Sequence, residues 1–380
     1  METCLTKIIT GENVTVQEKL AAHLGLNKSR RILRGVEAGD SEPFMVYLRA
    51  SPEDKNIGID ANWLCGGVII HESYILTSAA CIENVGHFYV VSGTHRWIPP
   101  GVKDDCITNG ALKAVWKCVP INYEFDGHQF ENILWMANDI AVVKVEDDFN
   151  FERRVIGCDF VPKKINFNNR SMALEAPGTV GTLAGWGSQE SFGDPIKALG
   201  RETVNSPVLL ETTAVLLSIQ HCKKHWPERY HHIIDKSMIC AKDSINGGGL
   251  SEVCNDKVKC KELIDTEENF GVRRSQVSEE MEVHNAAHSA NSRRYQIVSG
   301  GFCENDHGGP LVVGHGAGAV VVGIISACLT TDVTRKCYGP FLFTSVYRNR
   351  LLITCAIDKD TSPAKSDKKH KSKKTTKKKP

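Results

Sequence analysis

The sequence predicts an all-β fold, of the barrel or sandwich type, that ends in a short helix. Two observations lead to this fold class. Between residues 32 and 346, short apolar runs alternate with turn residues, and no long helical period lies between them. Near the C-terminus, by contrast, Val346, Leu351, Leu352 and Ile353 recur at a spacing close to that of a helix.

The predicted strands are short and bounded by turn residues. They lie at residues 63–70, 74–76, 88–91, 140–145, 180–184, 319–325 and 340–346. Runs of this length at these intervals are typical of antiparallel sheets joined by tight connections. No internal repeat of 20 to 50 residues is visible, so the pattern does not indicate a solenoid or a propeller.

Three segments differ from the strand-rich body. Residues 1–31 are polar, contain Cys4 and end in a basic run. Residues 243–299 are polar, glycine-rich and mixed in charge, which predicts a long surface insertion. Residues 359–380 contain ten Lys and two Asp, which predicts a disordered basic tail.

The charge is unevenly distributed along the chain. The formal net charge is +1, but the tail at 359–380 carries about +8, which leaves the rest near −7. No stretch approaches the roughly 18 apolar residues that a membrane helix needs. We therefore expect a mildly acidic body with a basic appendage and without a membrane span.

The cysteine content indicates an oxidising compartment. The chain has 14 Cys, and their spacings match neither Cys-x-x-Cys pairs nor zinc fingers. Asn13, Asn27 and Asn169 begin glycosylation sequons. The first residues lack an apolar core of signal-peptide length. We expect a secreted glycoprotein whose recorded start lies downstream of the true one.

Several motifs occur in a fixed order along the chain. Arg31-Ile32-Leu33-Arg34-Gly35 comes first, followed by Leu64-Cys65-Gly66-Gly67, Leu76-Thr77-Ser78-Ala79-Ala80-Cys81, Asn138-Asp139-Ile140-Ala141, Gly185-Trp186-Gly187 and Asp306-His307-Gly308-Gly309-Pro310. In this order they resemble the chymotrypsin/trypsin family of serine proteases from Arg31 to about Asp358. The resemblance implies two antiparallel β-barrels with a short C-terminal helix, in a domain spanning residues 32–358.

The residues at the catalytic positions depart from that family. A serine hydroxyl becomes a nucleophile only when an imidazole takes its proton and a carboxylate orients the imidazole. The resemblance matches Asp139 to the carboxylate, but it places Ala80 at the position of the histidine and His307 at that of the serine. Asn305 replaces the glycine that would contribute to the oxyanion hole. We therefore expect a catalytically inactive serine protease homologue.

The substrate-binding positions also differ. The acidic residue that selects basic side chains in trypsin-like members corresponds to Gly301. The Ser-Trp-Gly edge of the family corresponds to Ser326, Ala327 and Cys328. The sequence leaves two alternatives open: the groove is closed, or it accepts a different ligand.

One regulatory feature of the family is present in the sequence. Arg31-Ile32 resembles an activation site, which implies that residues 1–31 are a pro-segment, and Asp306 matches the carboxylate that receives the new α-amino group after cleavage. A buried ammonium–carboxylate pair is stable only when both partners are present, so cleavage after Arg31 could order the surrounding loops. The alternative is that the pair is inherited with the fold and unused.

The resemblance also predicts disulfide pairs. It implies Cys65–Cys81, Cys222–Cys240 and Cys303–Cys337, together with Cys4–Cys158, which would tether the pro-segment, and Cys106–Cys118, which would close an enlarged loop. Cys328 and Cys355 either pair with each other or exchange into the Cys303 bridge. Cys254 and Cys260 lie within the insertion and are left unassigned.

We predict neither a metal nor a cofactor. His221 and His225, like His284 and His288, are four residues apart, but zinc needs three or four ligands and no third is indicated.

The partners expected are extracellular proteins, namely a protease, a zymogen or an inhibitor. The tail adds an expected affinity for acidic surfaces or glycosaminoglycans, and we expect no nucleic-acid partner for a secreted chain. The predicted function is that of a non-catalytic cofactor, decoy or scaffold in a proteolytic cascade. Two rivals stay open: a hydrolase with a non-standard site built on His307 and Asp139, and a secreted protein with no role beyond stable folding.

Overall fold

The computed structural model describes ten parts of the chain. They are residues 4–8, 36–39, 42–51, 63–99, 101–126, 135–187, 205–242, 302, 306–330 and 337–361. For 4–8, 125–126, 135–136, 330, 337–338 and 359–361 only the backbone is described. The predicted insertion at 243–299 and most of the basic tail lie outside these residues.

The first barrel is a closed sheet of six antiparallel strands. The strands are β3 (Met45–Ala50), β4 (Cys65–His71), β5 (Tyr74–Thr77), β6 (Phe88–Val91), β7 (Leu112–Pro120) and β10 (Ala141–Val145). Around the barrel they pair in the order β7, β10, β5, β4, β3 and β6, and a β6–β7 pairing closes the ring.

A further strand is added to this barrel from outside. Strand β1 (Cys4–Ile8) pairs antiparallel with β7, with Cys4 opposite Pro120 and Thr6 opposite Cys118. The amino-terminal residues are therefore an additional strand of the first sheet. After β7 the chain forms a separate antiparallel hairpin of β8 (Glu124–Asp126) and β9 (Trp135–Ala137).

The second barrel repeats this architecture with six strands. The strands are β12 (Val180–Gly185), β13 (Leu210–Leu217), β14 (Met238–Lys242), β15 (Pro310–Val313), β16 (Val320–Thr330) and β17 (Cys337–Ser345). They pair in the order β16, β15, β12, β13, β14 and β17, and β16–β17 closes the ring. Two short strands, β2 (Val36–Glu37) and β11 (Asn166–Phe167), add to β13 and β16 respectively.

The described helices are short. They are α1 (Ala79–Ile82), α2 (Asp105–Gly110), α3 (Ile219–Lys223), α4 (His231–Ser237) and α5 (Arg350–Thr361). Helix α5 is the predicted C-terminal helix, and its buried Leu352, Ile353 and Ala356 belong to the largest apolar cluster. No helix among the described residues is long and apolar enough to cross a membrane.

The core between the barrels is aromatic. Tyr47 of the first barrel contacts Trp186 of the second at 5.4 Å between ring centroids and stacks on Trp63 at 5.8 Å. The apolar cluster around these rings contains buried side chains from both barrels. The fold is thus the two-barrel, all-β architecture that the sequence predicts, and the seven predicted strands correspond to seven of the twelve barrel strands.

Candidate functional site

The centre of the site is a carboxylate with no exposed surface. Asp139 lies just before β10 and is fully buried. Its Oδ1 accepts a 2.6 Å hydrogen bond from the Ser78 hydroxyl and a 2.9 Å bond from the Ala80 backbone N–H. Its Oδ2 accepts a 3.2 Å bond from the Ser326 hydroxyl. Because Ser78 belongs to the first barrel and Ser326 to the second, the carboxylate fastens the two barrels together.

Burial and hydrogen bonding act in opposite directions on this carboxyl group. Burial raises the pKa of Asp139, while donors from Ser78, Ala80 and Ser326 lower it, and burial is the larger effect. The sequence analysis did not identify the Ser78 hydroxyl as a partner of Asp139. The run from Leu76 to Cys81 contains two polar residues, Thr77 and Ser78, and the local pattern does not show which of them reaches the carboxylate.

The turn that carries Ala80 is supported from below by a buried lysine. Lys117, on β7, is buried, and its Nζ donates to the carbonyl oxygens of Ile82, Glu83 and Val85 at 2.5, 2.9 and 2.9 Å. These carbonyls lie at the end of α1 and just beyond it, where a positive charge is favourable. The lysine therefore fixes the end of the helix on which Ala80 lies.

A tyrosine at the base of the β8–β9 hairpin lies near the same carboxylate. Burial raises the pKa of Tyr123, and the charges of Asp139 and Glu83 raise it further. The hairpin is fastened at its base because the Asn138 side-chain amide donates a 2.8 Å hydrogen bond to the carbonyl of Asn122. Asn138 itself has a φ of 54°, a left-handed conformation that asparagine tolerates better than most residues.

The loop that carries His307 packs against the first barrel. The His307 carbonyl accepts a 2.9 Å hydrogen bond from the Gly66 N–H, and the His307 side chain is half-buried. Gly308 has a φ of 77°, and a Cβ there would lie 2.4 Å from both the Gly66 carbonyl and the Thr77 hydroxyl. Only glycine fits this contact, which explains why the loop keeps its glycine although the residue before it is a histidine.

Asp306, the residue before His307, connects two of the sequence motifs. Asp306 is buried, and its Oδ1 accepts a 2.8 Å hydrogen bond from the Gly187 N–H. A Cβ on Gly185 or Gly187 would lie 2.2 or 2.4 Å from the Asp306 carboxylate oxygens. Between these glycines, Trp186 is buried and donates from Nε1 to the His95 carbonyl at 2.7 Å. Gly185 and Gly187 therefore leave the space that the Asp306 carboxylate occupies, which we call the seat of Asp306.

The strand at the substrate-binding edge is covered. Ser326, Ala327 and Cys328 lie in β16 and are 0, 2 and 0% exposed. Strand β9 lies against β16, and Ala137 at its end packs on the apolar cluster that includes Ala327. Of the two alternatives that the sequence left open, the described residues favour a closed groove at this edge.

Comparison with known proteins agrees with this geometry. The family model described as Trypsin matches residues 34–255. The chain belongs to the trypsin family. Its relatives include serine protease grass of Drosophila melanogaster, which is 25% identical over 236 residues, or 60% of this chain and 53% of that protein. Venom serine protease 34 of Apis mellifera is 26% identical over 56% of this chain and 45% of its own length.

Other similarities cover more of the related protein. Granzyme B(G,H) of Mus musculus is 25% identical over 57% of this chain and 71% of its own length. Among solved structures, HL collagenase is 16% identical, covers 86% of this chain and 99% of its own, and has a TM-score of 0.49. The chain spans about half the length of the first two curated relatives, grass and the honeybee venom protease.

Two of the disulfides that the resemblance to the trypsin family implies are present. Cys65 is bonded to Cys81, and Cys222 is bonded to Cys240. Cys303 and the Cys337 side chain lie outside the described residues, so their pairing stays a prediction. Cys328 is in a disulfide, while Cys355 is exposed and in none, so the alternative Cys328–Cys355 pair is wrong.

Two predicted disulfides are wrong for a common reason. Cys158 is bonded to Cys106, which excludes both Cys4–Cys158 and Cys106–Cys118. Helix α2 begins beside the 153–158 loop, and Gly157, with a φ of 90°, lets the loop approach until the two Cα atoms are 4.4 Å apart. Cys118 is itself in a disulfide, and its partner is not among the described side chains.

The remaining predicted residues fall into two groups. Arg31, Ile32, Gly301 and Asn305 lie outside the described residues, and so do His284 and His288. The rings of His221 and His225 are neighbours at 5.2 Å between centroids. Within the part of the chain that the structure describes, no three potential ligands come together around a metal position.

Proposed function

We propose that this trypsin-family chain is a non-catalytic serine protease homologue that acts by binding proteins in an extracellular proteolytic cascade, as a cofactor, decoy or scaffold. The observation that carries the proposal is the environment of Asp139. A catalytic carboxylate must hold an imidazole, but here Oδ1 is occupied by the Ser78 hydroxyl and the Ala80 N–H, and residue 80 has no imidazole.

The energetic cost of these replacements supports the proposal. In a comparable triad, loss of either the serine or the histidine lowers turnover by about 10⁶-fold, or roughly 8–9 kcal/mol of transition-state stabilisation. Both positions differ here, since Ala80 and His307 occupy them. The buried edge formed by Ser326, Ala327 and Cys328 adds a second obstacle, because an extended peptide has no open strand to pair with at these residues.

The surface that we propose for partner binding is the loop pair joined by Cys106–Cys158. Asp104 caps α2 by accepting from the N–H groups of Cys106 and Ile107, and Arg96 contacts both Asp104 and Asp159. The loops also present two large apolar side chains to solvent, Val102 at 55% and Ile156 at 78% exposure. A rigid platform with exposed apolar residues is a suitable surface for protein recognition.

The proposal includes a switch: cleavage after Arg31 would turn on the binding function. Asp306 lies buried between Gly185 and Gly187, in the seat where the family places the carboxylate that receives a new amino terminus. Domain bounds follow the same interpretation: a pro-segment at 1–31, the homologue domain at 32–358 with an insertion near 243–299, and a Lys-rich tail at 359–380.

The proposal is tested first by hydrolysis of fluorescent casein. The purified protein is assayed after confirmed cleavage at Arg31, beside a His307→Ala variant and an active trypsin as positive control. We expect no turnover above the His307→Ala variant. Turnover that disappears in that variant would overturn the proposal and establish a non-standard hydrolase built on His307 and Asp139.

Partner capture tests the binding half of the proposal. The protein, with Ile156→Asp and Val102→Asp beside it, is used to capture proteins from extracellular fluid of the source organism. We expect the wild type to retain a saturable partner and the two variants to lose it. A partner retained equally by both variants, but lost on deletion of residues 243–299, would move the binding surface to the insertion.

A further inference from the structure

One of the glycosylation sequons lies in a turn that the structure describes. Residues 169–171 read Asn-Arg-Ser, and they come shortly after strand β11. Strand β11 lies on β16, at the end of the strand order of the second sheet. The Asn168 N–H extends this pairing by donating a 2.9 Å hydrogen bond to the Val321 carbonyl. The sequon therefore begins where the chain leaves an edge of the sheet.

The turn is held by the residue that precedes the sequon. Asn168 is buried, and its Nδ2 donates a 2.8 Å hydrogen bond to the Ser171 carbonyl. Its Oδ1 accepts from the N–H groups of Arg170 and Ser171 at 3.4 and 3.2 Å. The Ser171 hydroxyl oxygen in turn accepts a 3.0 Å bond from the Ala173 N–H. Both ends of the turn are thus fixed by hydrogen bonds.

Asn169 and Arg170, between these ends, are both exposed. The Asn169 amide forms no hydrogen bond to the described part of the chain, and the Arg170 guanidinium forms no ion pair with it. Because the Asn169 amide has no structural contact, it can carry a bulky substituent without disturbing the fold. An arginine exposed in a turn is at the same time a residue that a protease selective for basic side chains can reach.

We propose that Asn169 carries an N-linked oligosaccharide, and that this oligosaccharide protects the Arg170–Ser171 peptide bond from trypsin-like proteases. The modification joins Nδ2 of Asn169 to the anomeric carbon of a lipid diphosphate-linked oligosaccharide. The bond between that carbon and the diphosphate oxygen breaks, the lipid diphosphate leaves, and Nδ2 loses one proton to a base of the transferase. The inference rests on the extracellular location in the proposed function, because the oligosaccharide donor is met in the secretory pathway.

The protection follows from the covalent adjacency of Asn169 and Arg170. A protease that cleaves after Arg170 places this side chain in its specificity pocket, so its cleft must also accommodate Asn169. An oligosaccharide on Asn169 turns that requirement into a steric clash, which excludes the protease. A protein that acts among trypsin-like proteases meets this cleavage, which would cut the second sheet between β11 and β12.

The experiment uses the full chain, secreted from insect cells behind an added signal peptide so that every variant meets the oligosaccharide donor. Peptide mass spectrometry measures the occupancy of Asn169. The wild type is compared with Asn169→Gln and Ser171→Ala, which remove the sequon, and with Ser171→Thr, which keeps it. Each folded protein is then incubated with a small amount of trypsin, and mass spectrometry of the fragments gives the rate of cleavage after Arg170.

We expect the wild type and Ser171→Thr to carry the oligosaccharide, and the two variants without the sequon to be cleaved after Arg170 at least about tenfold faster. Cleavage after Arg153 and Arg154, which are also exposed, is the internal control and should proceed at one rate in all four proteins.

Three results would overturn the proposal. They are an unoccupied Asn169 in the secreted wild type, equal rates of cleavage after Arg170 with and without the oligosaccharide, and fast cleavage confined to Ser171→Ala. The last result would trace the effect to the lost hydrogen bond from the Ala173 N–H rather than to the oligosaccharide. None of the measurements depends on hydrolysis by this protein or on a binding partner, so their failure is distinguishable from failure of the proposed function.

Discussion

Ser78 and Asp139 are 61 residues apart in the chain, and the Ser78 hydroxyl donates a 2.6 Å hydrogen bond to Oδ1 of the fully buried Asp139. A buried carboxylate needs donors, because an unsatisfied charge in the interior is costly. Because residue 80 is Ala and has no imidazole, one such donor is missing, and the Ser78 hydroxyl supplies another. The pair preserves the carboxylate as a structural fastener between the barrels.

The first prediction concerns this hydrogen bond. Ser78→Ala leaves one carboxylate oxygen with a donor fewer in a site that water does not reach, so we expect it to lower the free energy of unfolding by about 1–3 kcal/mol. Urea denaturation measures the loss. The control is Ser237→Ala, because the buried Ser237 hydroxyl donates at 3.2 Å to a neutral carbonyl, that of Ile233. A loss no larger than that of the control would show that the Ser78 bond does not stabilise the carboxylate.

The second prediction concerns the seat of Asp306. In Gly187→Ala the new Cβ would lie 2.4 Å from a carboxylate oxygen of Asp306, so the carboxylate must move and its bond to the residue 187 N–H is strained. We expect a fall in Tm of several degrees. Gly318→Ala is the control, since a Cβ there has no atom within 4 Å and its φ is not positive. Equal melting temperatures for the two variants would contradict the proposed seat.

The strands that sequence reasoning found share one property. Strands such as β4 and β5 contain continuous buried runs, and such runs can be recognised without knowing their neighbours. Strand β7 was missed because Lys113 and Lys117 interrupt its apolar residues. Lys117 is buried all the same, because three carbonyls from a segment more than 30 residues away receive its ammonium group. Partners that distant in the chain cannot be inferred from a local pattern.

The candidate site likewise combines features that a local sequence pattern reveals with features that depend on contacts between distant residues. The motifs around Asp139, Asp306 and Trp186 are recognisable in sequence because they are short and ordered. The function of Ser78, by contrast, depends on a contact across 61 residues. The pairing of Cys158 depends on where α2 begins relative to the 153–158 loop, and spacing alone cannot determine which cysteine lies closest.

The third prediction concerns the cysteines of the first barrel. Peptide mapping without reduction should find a Cys106–Cys158 linked pair. We also expect Cys118 to be linked to Cys4, because β1 pairs with β7 so that Cys4 is opposite Pro120, two residues beyond Cys118. After cleavage at Arg31, residues 1–31 should then stay attached until a reductant is added. A Cys4→Ser variant, which should release the fragment without reductant, is the control. Linkage of Cys118 to Cys254, Cys260, Cys303 or Cys337 would contradict the expected pair.

The last prediction concerns the dependence of stability on pH, which two buried carboxyl groups should govern. Burial, with the charge of Glu211 adding to it, raises the pKa of Glu42 from 4.5 to about 8. Its Oε2 is buried and has no hydrogen-bond partner among the described residues. Burial likewise raises the pKa of Glu175 to about 7, although Ser345 and the Tyr347 N–H donate to it.

The direction of the effect follows from the two folded-state pKa values. Below about pH 4.5 both states hold these protons. Above this pH the unfolded chain releases them, while the folded chain retains the Glu175 proton up to about pH 7 and the Glu42 proton up to about pH 8. The free energy of unfolding should therefore fall as pH rises through this range, by about 1.4 kcal/mol for each unit by which a pKa is raised. Urea denaturation at pH 5, 7 and 9 measures the slope.

Variants separate the two carboxyl groups from the rest of the chain. Glu42→Gln keeps the shape of the side chain and cannot ionise, so it should flatten the curve from pH 5 to about pH 8 and make the protein more stable than the wild type at pH 9. Glu175→Gln should flatten the curve mainly below pH 7. The exposed Glu228→Gln is the surface control, and its curve should follow that of the wild type. A Glu42→Gln curve that also follows the wild type would show that Glu42 ionises equally in the folded and unfolded protein.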